Sequence, residues 1–129
     1  MLKRILAVLS VVTAFAAAPA IACPNPAGQP YFGSIQLYAG FQPDPYVRNI
    51  TAGGTNNLNG CGAPGWAGYV TSRPDFDLYW NGNSSQVTIA IESFADAILL
   101  VRSPDGLFTY NDDYIGTNPA VTFYNPTPG

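Results

Sequence analysis

RPDFDLYWNGNSSQVTIAIESFADAILLVRSPDGLFTYNDDYIGTNPAVTF, residues 73–123, holds most of the strand-forming sequence and seven of the chain's eight acidic residues. Within 86–94, Val87, Ile89 and Ile91 fall on one side and Gln86, Thr88, Ala90 and Glu92 on the other. That period-two alternation is the signature of a half-buried strand. Residues 97–102 (AILLVR) are a continuous apolar run, the pattern of a strand covered on both faces. Ser103-Pro104-Asp105-Gly106 sets Pro second and Gly fourth, the preference of a type I turn, so 97–102 and 107–110 are expected to form a hairpin. Phe76, Leu78 and Trp80 alternate with Asp75, Asp77 and Tyr79, giving a strand with one apolar and one wet face. Asn81-Gly82-Asn83 tolerate positive φ and turn the chain behind it, and 120–124 read as a last short strand.

Outward from this block, residues 34–39 alternate and are expected to form the first strand, and 47–52 a second. The stretch 53–57 reads as a loop. Residues 59–68 (NGCGAPGWAG) carry too many glycines for a strand interior and predict a close-packed loop with Trp66 folded back over the core edge; 68–72 is a short strand. About seven to eight short strands, frequent turn signals and no amphipathic helix predict an all-β fold, an antiparallel, jelly-roll-like β-sandwich, with a small barrel as the alternative closure.

The first 22 residues read as an export signal. Lys3 and Arg4 open it, an apolar run of about 14 residues follows, and Ala20-Ile21-Ala22 supplies the small-x-small cleavage site. The run falls short of the roughly 20 residues that cross a bilayer, so no membrane span is expected once the signal is removed. The domain 23–129 would then be exported, periplasmic or secreted. It holds three arginines against eight acids, a net charge of −5, with no Lys and no His. Isolated arginines make no phosphate-binding patch, which argues against nucleic acid as a partner. Two cysteines, Cys23 and Cys61, predict a disulfide in an exported chain; lipidation of Cys23 is the alternative, but Ala20 stands where a lipoprotein signal usually carries Leu.

CP at 23–24, AGG at 52–54, CGAPGWAGYV at 61–70, RPDFDLYW at 73–80, and ADAILLVRSPDG with FTYNDDYIGTNPAVTF over 95–123 resemble a group of small exported bacterial proteins often labelled peptidase S1. Their core is similar to the bacterial pre-peptidase C-terminal domain, a β-sandwich found beside secreted peptidases. The most specific positions are Asp96, Pro104, Gly106, Asp112, Asp113, Asn118 and Pro119. Such domains usually continue with a G-x-Y-x-[IV]-W-[VI]-G strand. Here Gly129 is the last residue, so the resemblance implies a sandwich lacking its C-terminal strand or strands.

Serine-peptidase chemistry needs a base for the Ser proton, and residues 23–129 offer neither His nor Lys, nor a G-x-S-x-G elbow. The domain is therefore expected to be non-catalytic. A hydrolase using paired aspartates is the alternative: Asp75 and Asp77, two apart on one strand, would sit about 6.5–7 Å from each other, a spacing that inverting glycosidases use and that any solvated strand face shares. Asp112 and Asp113 are a second pair. The strongest ion-site candidate is Asp96, Asn111, Asp112, Asp113 and Asn118, whose carboxylate and amide oxygens suit Ca²⁺ and which the hairpin would gather at its open end. Turn chemistry uses the same residue types. Phe76, Trp80, Phe94, Phe108 and Phe123 read as core; Tyr38, Tyr79, Tyr110, Tyr114 and Tyr124 read as the wetter side, where tyrosines can form a recognition platform. The expected function is an exported module that binds a protein or polysaccharide surface or assists a secreted peptidase, with a structural Ca²⁺ as the one cofactor considered. A purely structural envelope protein is a further alternative.

Overall fold

The structure, a computed structural model, describes residues 23–129, and the expected leader, 1–22, lies outside the described residues. The described chain is all-β: β1 (Ser34–Leu37), β2 (Asn56–Asn57), β3 (Tyr69–Val70), β4 (Asp77–Trp80), β5 (Gln86–Ala90), β6 (Leu99–Arg102), β7 (Phe108–Asn111) and β8 (Ala120–Tyr124). These pair as β1–β4, β2–β3, β5–β8 and β6–β7, four two-stranded sheets in a sandwich-like arrangement. Three pairs are antiparallel, as expected, and β1–β4 is parallel. The long excursion through residues 38–76 permits it, since parallel neighbours need a connection of roughly a dozen residues or more. The pairing extends before β1: Asn25 N–H donates to Ser72 O (2.7 Å), Tyr31 N–H to Pro74 O (2.9 Å) and Phe32 N–H to Asp75 O (2.8 Å). Among the described residues no helix is long and apolar enough to cross a membrane.

The β5–β8 pair follows the alternation directly. Val87 faces Phe123 and Ile89 faces Val121 across the ladder, and Val121 is buried. The 103–106 turn also forms as expected: Gly106 N–H donates to Ser103 O and Ser103 N–H to Leu107 O, both 2.9 Å. Its Asp105 carboxylate accepts from Ser103 Oγ and from Leu107 N–H (3.1 Å), and these bonds hold its pKa below the usual carboxylate value. The ionised form therefore favours the folded state above the unfolded pKa, and that contribution is lost as pH falls through the native value.

Three expectations are corrected. Residues 47–52 form no strand; Val47 is exposed, and β2 at Asn56–Asn57 pairs with β3 instead. The AILLVR run is only half-buried: β6 ladders with β7 alone and meets β8 only slightly, so its faces stay partly open. Phe94 is fully exposed rather than in the core, since it lies beyond the end of β5 and shares the outward parity of Gln86, Thr88 and Ala90; Phe108, also expected in the core, is exposed as well.

The buried centre is small. Leu58, Trp80, Val121 and Pro119 fill it. Trp80 meets Phe41 edge-on at 6.4 Å, and its indole N–H donates to Gly82 O (3.1 Å). The expected Cys23–Cys61 disulfide is formed, with Cα atoms 5.4 Å apart. It ties the start of the domain to the turn that carries Leu58, where Cys61 N–H donates to Leu58 O (2.9 Å). Trp66 folds back as expected. Its ring lies on Gly62, where any Cβ would collide with it, stacks on Tyr110 (5.9 Å) and meets Phe108 edge-on (6.1 Å). The Tyr110 hydroxyl donates to Ala67 O (3.1 Å), clamping the loop to β7. Tyr110→Phe should keep the stack and lose this bond, lowering stability by about 1 kcal/mol in urea unfolding.

Candidate functional site

The outer face of β5–β8 carries the side chains opposite to the core set: Gln86 beside Tyr124, Thr88 beside Thr122, Ala90 beside Ala120. The Thr88 and Thr122 hydroxyls are 2.9 Å apart and hydrogen-bond across the strands. Beyond Ala90 the chain bends away. Ile91 N–H donates to Pro119 O (3.0 Å), and Ser93 N–H donates to Asn118 Oδ1 (2.9 Å). Opposite, a turn closes on Asn118, whose carbonyl accepts from Tyr114 N–H (3.0 Å) and Ile115 N–H (3.1 Å). The two bends leave an open groove of about 520 Å³, walled by Glu92, Phe94, Tyr114 and Ile115 and floored by Thr88 and Ala90. Its wall residues stand out of the surface: Phe94 is fully exposed, Tyr114 68 % and Ile115 71 %. Scattered single apolar residues are ordinary on protein surfaces; three around one groove are a patch.

The chain matches no family model, no curated protein and no solved structure. The groove's chemistry and the fate of the expected site residues carry the reading.

Those residues are used differently from one another. Asn118 spends its amide oxygen on Ser93 N–H, and Asn111 spends its own on Ala120 N–H (3.0 Å), so both pin neighbouring backbone. The Asp112 carboxylate lies 3.3 Å from the Tyr110 hydroxyl. Asp96 and Asp113 are exposed, and Asp96 precedes the hairpin rather than opening its first arm, which starts at Leu99. Among the described residues no three of His, Cys, Asp or Glu gather into a group able to hold a metal. The turn chemistry that competes with a Ca²⁺ site accounts for both asparagines.

Asp75 and Asp77 are half-buried where β4 runs beside β1, away from the groove. Burial raises the Asp75 pKa, and a hydrogen bond from Thr71 Oγ1 (3.1 Å) opposes the rise. A raised native carboxyl pKa penalises folding once the group ionises. The penalty is absent below the unfolded value near 3.8, grows as pH rises from there towards the native value and is constant above it. Asp75→Asn should therefore melt above wild type at neutral pH, with the difference closing as pH falls towards the unfolded value; scanning fluorimetry across that window reads it.

Sequence reasoning found Tyr114 and Tyr124 on the wet side but missed Phe94, Ile115 and the Thr88–Thr122 pair. One signal was present: after Glu92 the alternation stops, and 93–96 (SFAD) reads as a bend.

Proposed function

We propose that residues 23–129 are an exported, non-catalytic β-sandwich module that binds an extracellular macromolecule through the groove on the outer face of β5–β8. One observation carries this reading: Phe94, Tyr114 and Ile115 stand exposed around a single groove. Exposed aromatic groups with no structural partner mark contact sites rather than packing. The groove holds no nucleophile–base pair. Its titratable side chains are Glu92 and Tyr114. Export is supported by the disulfide, which persists in oxidising compartments. Service beside a secreted peptidase fits the resemblance to the pre-peptidase C-terminal domain.

Co-sedimentation with insoluble extracellular polymers and binding to immobilised extracellular proteins test it. Wild type is expected to be retained on at least one of them. The Phe94→Ala, Tyr114→Ala double variant should lose retention with an unchanged Tm, because neither side chain supports the core. Absence of retention on every surface, or equal retention of the double variant, overturns the proposal. Turnover of a polymer that disappears in Asp75→Asn and Asp77→Asn would favour the two-carboxylate hydrolase instead.

A further inference from the structure

We infer that the groove's occupant is an uncharged polysaccharide lying along β5 and β8, held by Tyr124 at one end and by Tyr114 and Phe94 at the other. This rests on the proposed binding function and specifies its ligand. The outer face is ordered in rows: Gln86–Tyr124, then Thr88–Thr122, then Ala90–Ala120. Successive rows are about 7 Å apart along a strand, so Tyr124 stands about 14 Å before the Ala90–Ala120 row, and the groove walls follow it. Tyr124 is 75 % exposed. The layout is an aromatic group, a low central track and a second aromatic group.

The centre of the track decides the shape of the ligand. A folded protein partner is anchored by large side chains near the middle of its interface. Here the middle is two threonines and two alanines, with the hydroxyls of Thr88 and Thr122 in contact. A long, thin chain can lie on such a floor and reach both aromatic ends. Sugar rings present flat C–H faces, which pack on tyrosine and phenylalanine rings, and hydroxyl edges, which suit threonine hydroxyls and a carboxylate.

Charge decides which polysaccharide. Glu92 is the acid in the groove, none of the three arginines lines it, and the domain carries five more acids than bases. An anionic polymer would meet repulsion without a cation to offset it. A neutral glycan meets none.

Affinity electrophoresis of residues 23–129 in gels containing hydroxyethyl cellulose, xyloglucan, glucomannan or polygalacturonate tests the inference. At least one neutral polymer is expected to retard wild type, and polygalacturonate should not. Raising NaCl from about 50 to about 500 mM should leave the retardation unchanged, because no ion pair is involved. Tyr124→Ala and Tyr114→Ala should each weaken binding about tenfold. Thr122→Arg, which fills the track, should abolish it, whereas Tyr79→Ala on β4 should have no effect. Near-UV circular dichroism confirms that each variant is folded. Retardation by polygalacturonate alone, strong salt dependence, or neutral-polymer binding indifferent to Tyr124→Ala and Thr122→Arg overturns the inference. Failure on all four polymers together with binding to an immobilised protein, lost in Phe94→Ala, Tyr114→Ala, overturns the glycan and leaves the binding module standing. Failure on polymers and proteins alike overturns both.

Discussion

The Cys23→Ser, Cys61→Ser double variant is expected to melt on the order of 15 °C below wild type. The two cysteines are 38 residues apart in sequence, and closing a loop of that length removes enough unfolded-state entropy to stabilise the fold by about 4 kcal/mol. Near 100 residues, 1 kcal/mol moves Tm by about 4 °C. Few small domains hold more than roughly 5–15 kcal/mol in total, so the loss is a large fraction. Leu58, Trp80, Val121 and Pro119 offer little burial with which to replace it. The bond also anchors the residues that follow Cys23. Those residues pair with Ser72, Pro74 and Asp75, so opening the disulfide should loosen the approach to β1 before the β5–β8 pair. Thermal melts of wild type with and without reductant, beside the double variant, measure this. Reduced wild type should follow the variant, and a shift of less than about 5 °C would show that the loop is held by other contacts. Hydrogen exchange should show residues 25–37 losing protection first.

What the sequence made legible was local. β5 and β8 were readable because Val87, Ile89 and Ile91 alternate without interruption and because 120–124 (AVTFY) is made of β-branched and aromatic residues apart from Ala120. The hairpin was readable because Pro104 and Gly106 specify its turn within four residues. The disulfide needed only an even cysteine count in an export context. Non-local choices were not legible. Nothing in 34–37 says that its neighbour will be 77–80 in parallel, since residues distant along the chain supply that pairing. β2 consists of two asparagines, residues that propensity assigns to loops, and it exists because Tyr69–Val70 lies opposite. In the candidate site, Asn111 and Asn118 were legible as carriers of available amide oxygens but not as acceptors for a particular partner. An amide oxygen serves a cation or a backbone N–H equally well, and the fold presents Ala120 and Ser93. Phe94 was misread because its aromatic ring was taken as a sign of burial, although it shares the outward parity of Gln86, Thr88 and Ala90 and lies past the end of its strand. That error hid one of the most exposed groups on the surface.

Trp80→Ala should cost about 3–5 kcal/mol, the range for removing a large aromatic side chain from a core. Trp80 is the largest of the buried side chains and closes several elements at once. Its ring meets Phe41 from the 38–46 loop, and its indole N–H satisfies Gly82 O in the turn after β4. Its backbone pairs with Leu37 on β1 and exchanges two hydrogen bonds with Gly129, at 2.8 and 2.9 Å. The backbone pairs survive a side-chain substitution; the ring contacts and the covered volume do not. Trp80→Phe separates the two losses. It retains an aromatic ring against Phe41 while removing the bond to Gly82 O and part of the volume, so it should fall well short of the alanine value. Urea unfolding should show both variants with lower midpoints and an m-value close to wild type, because the chain still folds and unfolds as one unit. Equal losses for Phe and Ala would assign the energy to the indole N–H and not to packing. The Trp80 and disulfide effects arise in different places, one in the folded core and one in the unfolded chain, so they should add to within a few tenths of a kcal/mol. Their sum, about 7–9 kcal/mol, is comparable to the whole stability of a typical domain of this size, so the triple variant is expected to be largely unfolded at 25 °C.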